Sequence, residues 1–412
     1  MNNKSYIYIV IILALLSLCM GCKAQQQKKS SQATSTVSKY PEFSWDKMPL
    51  YMHLRKLEAF SDEELNYLAR FPLITLEKTT GSKTYGGTEQ GSIQAAKAIK
   101  AVNPNTKILY YRNCIINWHA YPDDELFIKK NRDALLKNSL GEYATMKNNI
   151  TGTKFFDISK EHVRDYWLNN AIKHANNPYI DGIFIDANFK VLTNFMKNKK
   201  VVEAKRDGLK TGYYDMMGTL KKEIGDKKLI ISNILRVRPE AELDNGRALL
   251  PYFHGSYIET FENNSFGLSY EDYLVQGIET VQQSAREGKM IAFTLGLGEA
   301  LEFETEGMDD RRASVIAGEN LQNRIDYLLA IFLVCAEKYS YVYLHDGFDV
   351  NTNKRTGQNA SKVWMKSSPQ YENRLGAPKG PAKRDGYIYT RSFEYLDVWL
   401  DVKNQKARLD WK

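Results

Sequence analysis

Eight short apolar runs, most of them separated by stretches with helical periodicity, set the tightest limit on how this chain can fold. They are "LYMHL" (50–54), "LITLE" (73–77), "KILYYR" (107–112), "IDGIFID" (180–186), "KLIISNI" (228–234), "GSYIETF" (255–261), "MIAFTL" (290–295) and "YVYLHD" (341–346). Their lack of strict alternation suits strands buried on both faces. Between them, Ser61 and Glu64 have capping-box spacing, and three stretches carry apolar stripes at helical spacing: Val163, Trp167 and Ala171; Leu274, Ile278, Val281 and Ala285; Leu321, Ile325, Leu328, Phe332 and Leu333. Eight strand–helix units predict an α/β fold, a (β/α)8 TIM barrel. An open doubly wound sheet fits less well, because no Gly-rich phosphate turn follows the first strand. With 412 residues, 43% of them hydrophobic, the chain can fill such a core.

After "YVYLHDG" the pattern changes. "NTNKRTGQNA" and "GAPKGPAKRDG" read as connections, and "GYIYTRSFEYLDVWLDV" alternates like hairpin material, so a small C-terminal β-sheet is expected. At the other end, Lys4 precedes an apolar segment from Tyr6 to Leu18 and then "CMGC", the order of a secretory signal with a lipobox cut before Cys22. "KAQQQKKSSQATSTVSK" lacks the apolar residues to order itself and reads as a tether. The expected organisation is a signal over 1–21, a tether over 22–40, a barrel over 41–350, and a connection with a C-terminal sheet over 351–412. The net charge of +8 is scattered, with no basic stripe interleaved with aromatics, which argues against nucleic acid as a partner. Cys114 and Cys335 stand apart from any C-x-x-C spacing and are expected as free buried thiols. The six dispersed histidines form neither H-x-H nor H-E-x-x-H, so no metal is expected, and the lack of G-x-S-x-G argues against a serine esterase of the α/β-hydrolase type.

Four of the runs lead into an acid. Asp186 and Glu259 each follow a glycine by four residues, in "GIFID" and "GSYIE"; Glu77 ends "LITLE" and Asp346 ends "VYLHD". In a barrel these are the C-terminal strand ends, the face where active sites are built. Two rim carboxylates on different strands are what glycosidic hydrolysis needs, one as acid and one as nucleophile or base. Asp186 and Glu259 are the expected pair, with Glu262 in reserve. Asp186 is taken as nucleophile and Glu259 as general acid, on the apolar flank of "SYIETF". Glu77 beside Lys78 also suits a plain ion pair, and Asp346 before Gly347 suits turn chemistry. Arg112, Asn113 and Asn233 either hold sugar hydroxyls or satisfy local backbone. Trp118, His119 and Tyr121, in the loop "NWHAYPDDELF", are candidates to stack on sugar faces, whereas Trp167 is placed in the core and Asp157 in loop structure.

"IDGIFIDAN", "GSYIETFEN" and the C-terminal "YIYTRSFEYLDVWLD" resemble the TIM-barrel glycoside hydrolases grouped as hypothetical glycosyl hydrolase families, which are often bacterial secreted or lipid-anchored proteins. The resemblance covers most of the chain after about residue 45. It implies a barrel acting on carbohydrate, with Asp186 and Glu259 at the positions to carry over. Where related sequences often have Gly between the last strands, this one has "EYLD". The expected function is hydrolysis of a polysaccharide or oligosaccharide; a non-catalytic glycan-binding lipoprotein and a polysaccharide lyase are the alternatives. The expected partners are a carbohydrate substrate and a lipid anchor to the bacterial cell envelope, at the outer membrane or cell surface with either side open as the one it faces, with no cofactor and the chain acting as a monomer. If Cys22 is the lipidated first residue, Cys22→Ala should move the protein out of the membrane fraction; a mature N-terminus found unmodified elsewhere by mass spectrometry overturns this.

Overall fold

A computed structural model describes residues 38–146, 152–259, 261–264, 266–296, 308–351 and 361–412. The signal, Cys22, nearly all of the tether and most of "NTNKRTGQNA" lie outside the described residues. From Lys39 onward the chain forms one compact unit.

The barrel strands are β1 (Tyr51–Leu54), β2 (Leu73–Leu76), β3 (Lys107–Asn113), β4 (Gly182–Asp186), β5 (Leu229–Asn233), β6 (Gly255–Ile258), β7 (Met290–Gly296) and β8 (Ser340–His345). They pair in parallel in sequence order, and β8 returns to β1 through the isolated bridges Leu50↔Val342 and Arg55↔Asp349. Around them run α1 (Asp62–Leu68), α2 (Thr88–Val102), α3 (Pro122–Lys130), α4 (Glu161–Ala175), α5 (Asn188–Leu192), α6 (Glu203–Ile224), α7 (Tyr270–Arg286) and α8 (Asp310–Cys335). The (β/α)8 reading therefore holds. The capping box at Ser61 and Glu64 forms both of its hydrogen bonds. Trp167 is buried and donates its indole N–H to the Asn113 carbonyl at 2.8 Å, and the thiols of Cys114 and Cys335 are free and buried.

One crossover departs from the helical pattern. Between β5 and β6 the chain runs through 3-10 turns over Ala241–Tyr252, broken where Asp244, Asn245 and Gly246 take left-handed backbone. A side chain on Gly246 would meet the Ile234 carbonyl oxygen at 1.8 Å, so the turn packs directly on the end of β5.

Period-two alternation explains the Gly-x-x-x-acid spacing of β4 and β6. Residues four apart share a face, and Phe184 and Tyr257 point inward, where their rings lie 5.1 Å apart edge to face. Gly182 and Gly255 sit at the strand starts, where an added Cβ would meet neighbouring backbone oxygens at 2.3 and 2.0 Å. The same parity brings Asp186 and the residue after β6, Glu259, over the barrel mouth.

The C-terminal sheet is antiparallel, in the order β12 (Lys406–Trp411), β11 (Leu396–Asp401), β10 (Ile388–Ser392), β9 (Lys383–Asp385). The β10–β11 hairpin closes through "FEY" without a glycine, with the Phe393 N–H donating to the Leu396 carbonyl at 2.7 Å. Tyr389, Phe393, Leu396, Val398 and Leu400 join the same core cluster as α8. Arg391, only 4% exposed, ties sheet to helix: it donates to the Leu333 and Ala336 carbonyls at the end of α8 at 2.9 and 2.5 Å and to Glu337 at 3.0 Å. These carbonyls are the negative end of the helix dipole, so a guanidinium suits them. Arg391→Met keeps the stem but strands them, and should lower stability by about 3 kcal/mol in urea unfolding. Unchanged stability would mean that the sheet rides on the barrel without bracing it.

Candidate active site

Asp186 is the last residue of β4. Its Oδ2 accepts from the Tyr111 hydroxyl at 2.6 Å, and its Oδ1 accepts from the Ala187 N–H at 2.7 Å and from Asn233 Nδ2 at 3.3 Å. Ala187 itself is left-handed, φ +68, an uncommon conformation for a side-chain-bearing residue. It is followed by Asn188, which is buried and fastens β4 to β5: it donates to Ser232 Oγ at 2.9 Å and accepts from the Tyr213 hydroxyl at 2.7 Å. The strain is thus confined beside Asp186 and held there by a satisfied network.

Asn233, at the end of β5, joins the two acids. Its Nδ2 also donates to Glu259 Oε2 at 3.1 Å, while its Oδ1 accepts from Arg236 Nη2 at 3.1 Å. The amide orientation follows from its partners, two carboxylates on one side and a guanidinium on the other. Arg236 in turn donates to Glu259 Oε2 at 2.8 Å. The side chain of Glu259 is 35% exposed, so the apolar surroundings expected from "SYIETF" are not those of its carboxylate; Tyr257 and Ile258 are buried while Glu259 emerges beside Arg236.

Glu77 is drawn into an ion-pair cluster, with Lys78 at 2.5 Å, Arg55 at 3.3 Å and His53 at 3.9 Å. Burial alone would raise its carboxyl, but these neighbours outweigh it and hold the group well below the usual range. Lys78 Nζ also stands 4.9 Å from the ring centroids of both Tyr111 and Trp118, which brings half-buried Trp118 to the rim beside Asp186.

Several expected binding residues are structural instead. Arg112 is buried and faces away from the barrel interior, paired fork to fork with Asp124 on α3 at 2.8 and 2.6 Å. Burial opposes its charge, and Asp124 more than compensates. Asn113 is buried, and its Oδ1 caps the Ile115 and Ile116 N–H groups at 3.1 and 2.7 Å. Tyr121 is 1% exposed, with its hydroxyl on the Tyr111 carbonyl. His119 pairs with Glu125 at 2.9 Å. Asp346 holds the chain beyond β8, accepting from Ser361 Oγ at 2.6 Å and the Lys362 N–H at 2.7 Å. Glu262, the reserve acid, sits in a separate network with Tyr270 at 2.9 Å and Arg324 at 2.7 Å. Asp157 accepts from Lys205 at 3.0 Å and is structural as expected.

Tyr111 and Arg236 were not singled out from the sequence. Strand parity is the signal for Tyr111, which pairs with inward-facing Phe184 and stacks on it at 5.6 Å. A cavity of about 620 Å3 lies elsewhere, against the starts of β1 and β8 and lined by Tyr67, Phe71, Tyr341 and Trp364; neither acid of the pair borders it.

The sequence pattern of hypothetical glycosyl hydrolase family 15 matches residues 100–397. The chain belongs to that family. Membership makes it a glycoside hydrolase, and the match spans β4, β5 and β6 with the Asp186–Asn233–Glu259 group. No curated protein matches the sequence. Among solved structures, it is similar to a noncanonic maltogenic alpha-amylase from Thermotoga neapolitana (12% identity over 86% of this chain and 86% of that one, TM-score 0.45). It is also similar to an alpha-amylase from Lactobacillus plantarum (12%, 87% and 89%, TM-score 0.46). A third is the glycoside hydrolase domain of PelA from Pseudomonas aeruginosa (12%, 65% and 91%, TM-score 0.39). At such distance, residue roles in this family 15 chain rest on its own side chains.

Arg112 offers a clean contrast between structural and binding roles. Arg112→Gln should lower stability by about 3–5 kcal/mol, because it leaves Asp124 buried without its partner. A variant with unchanged melting temperature and a raised KM would return Arg112 to substrate binding.

Proposed function

We propose that the chain cleaves an oligosaccharide or polysaccharide by double displacement, with Asp186 as nucleophile and Glu259 as acid and base. The observation that supports this is the Asn233 amide, which bonds both carboxylates from one nitrogen. Bonds of 3.3 and 3.1 Å from that nitrogen keep the two acceptor oxygens within about 6.4 Å, and about 5.5 Å apart if each takes one of the two amide hydrogens. That spacing of the two nearest oxygens is compatible with a retaining pair, whose carboxyl groups stand about 5–5.5 Å apart, and the anomeric outcome tests it against an inverting pair at about 6.5–9.5 Å.

The hydrogen bonds divide the roles. Both oxygens of Asp186 accept from donors, which steadies a carboxylate that must attack and later leave. The two bonds to Glu259 both fall on Oε2, so Arg236 and Asn233 fix the side chain and leave Oε1 for contact with a leaving oxygen or a water. In the first step Glu259 protonates the leaving glycosidic oxygen while Asp186 attacks the anomeric carbon, giving a glycosyl-enzyme. In the second, Glu259 takes a proton from water, whose oxygen displaces Asp186.

A glycan panel read by reducing-sugar release should identify a substrate. On it, Asp186→Asn and Glu259→Gln should each keep the melting temperature and lose about a hundredfold or more in activity. The first product seen by NMR should retain the anomeric configuration. Azide added to Glu259→Ala should give a glycosyl azide of retained configuration, and to Asp186→Ala an inverted one; the opposite pattern exchanges the roles. Full activity in either amide variant, or an inverted wild-type product, would sink the mechanism, and binding without turnover would favour a glycan-binding protein.

A further inference from the structure

We propose that the glycan bound here is anionic, with a carboxylate or sulfate on the sugar held by Lys190 and Arg238. This rests on the reading of Asp186 and Glu259 as the cleaving pair. Three cations gather on the β4 and β5 side of that pair. Arg236 is charge-paired with Glu259 and donates from Nη2 to both Glu259 and Asn233, although its Nε is buried without a partner. The other two are not so paired among the described residues.

Lys190 lies four residues after Asp186, on α5, and is half-buried. Its ammonium stands 4.7 Å from the Phe195 ring centroid, and among the described residues it makes no hydrogen bond or ion pair. Burial lowers its pKa, Asp186 and Glu259 oppose that, and Arg236 adds to it, so its charge lies within the field of the pair. Arg238 is anchored through its backbone, whose N–H donates to Asn245 Oδ1 at 2.8 Å. Its guanidinium lies 3.9 Å from the ring centroid of Phe189, the residue next to Lys190. Its Nε is buried without a partner, and no carboxylate among the described residues comes within ion-pair distance. Burial, then Arg236, pull its pKa down to about 10, and Glu240 opposes them only from a distance.

An unpaired cation held partly out of water is unfavourable unless something compensates. Ring faces return part of that, but among the described residues the N–H donors of neither head group meet an acceptor, and the Nε of Arg238 is buried. A carboxylate or sulfate on a sugar beside the cleaved bond would satisfy those donors and gain strong attraction at low dielectric. Hydroxyls alone would not balance two charges.

The test uses matched glycans: pectate and methyl-esterified pectin, hyaluronan and its carboxyl-reduced form, and chondroitin sulfate with its desulfated form, still a uronate polyanion, and its desulfated and carboxyl-reduced form, which is neutral. Cleavage is measured with the wild type, and binding by calorimetry with the combined Asp186→Asn and Glu259→Gln variant. At least one charged member should be cut, and should bind about tenfold or more tighter than its neutralised partner, an advantage that fades from about 50 to 500 mM salt. Whether carboxyl reduction or desulfation removes the effect tells a uronate from a sulfate. Lys190→Gln and Arg238→Gln should each raise KM about fivefold or more with a smaller change in kcat. Equal or better handling of the neutral partners, or no binding of any charged member, overturns the inference and leaves the hydrolase reading standing. A charged glycan that is bound but not cut, or is cut to an ultraviolet-absorbing unsaturated product, upholds it and removes the hydrolase reading.

Discussion

Period-two alternation in the barrel strands is the constraint on which everything at the mouth depends. A residue two positions along a strand keeps its face, and a residue one position along loses it. Gly182 and Asp186, and Gly255 and Glu259, are therefore bound as pairs: the glycine lets the wall close at the bottom and the acid crowns the same face at the top. Asn233 reaches the same crown from the strand between. Its amide can serve both acids only because β5 separates β4 from β6 and holds their ends at one level.

Around that crown the surroundings differ on the two sides. On the β2–β3 side, Glu77 answers Lys78 and Arg55, and Asp349 stands 3.7 Å from Arg55, so charge is largely balanced. On the β4–β5 side, Arg236 is balanced by Glu259 while Lys190 and Arg238 are not. The asymmetry comes from short segments directly after the strands, where chemistry varies without disturbing the core beneath.

The order of strands, the barrel and the C-terminal sheet were legible in the sequence because each rests on local periodicity. Asp186 and Glu259 were legible because a glycine four residues earlier fixes the phase of each strand. "KILYYR" gives no such phase, since it is apolar on both faces, and so Arg112 read as a rim residue while Tyr111, its neighbour, is the one that reaches Asp186. Asn113 shares the inward parity but turns its side chain onto the next two N–H groups. Asp346 was ambiguous for a different reason: its partner Ser361 is fifteen residues away, beyond any local pattern. Arg236 acquires meaning only when the β5 turn folds back on Glu259.

The closure of the barrel has a consequence of its own. β1 meets β8 through two isolated bridges, whereas β4, β5 and β6 share continuous parallel ladders. In a ring of eight, the β8–β1 seam lies across from the junction of β4 and β5. Fluctuation should therefore gather at the seam, where amide hydrogens would exchange soonest. The strands that carry Asp186, Asn233 and Glu259 form the opposite, stiffer wall, so the barrel can breathe on one side while the distance between its two acids stays fixed on the other.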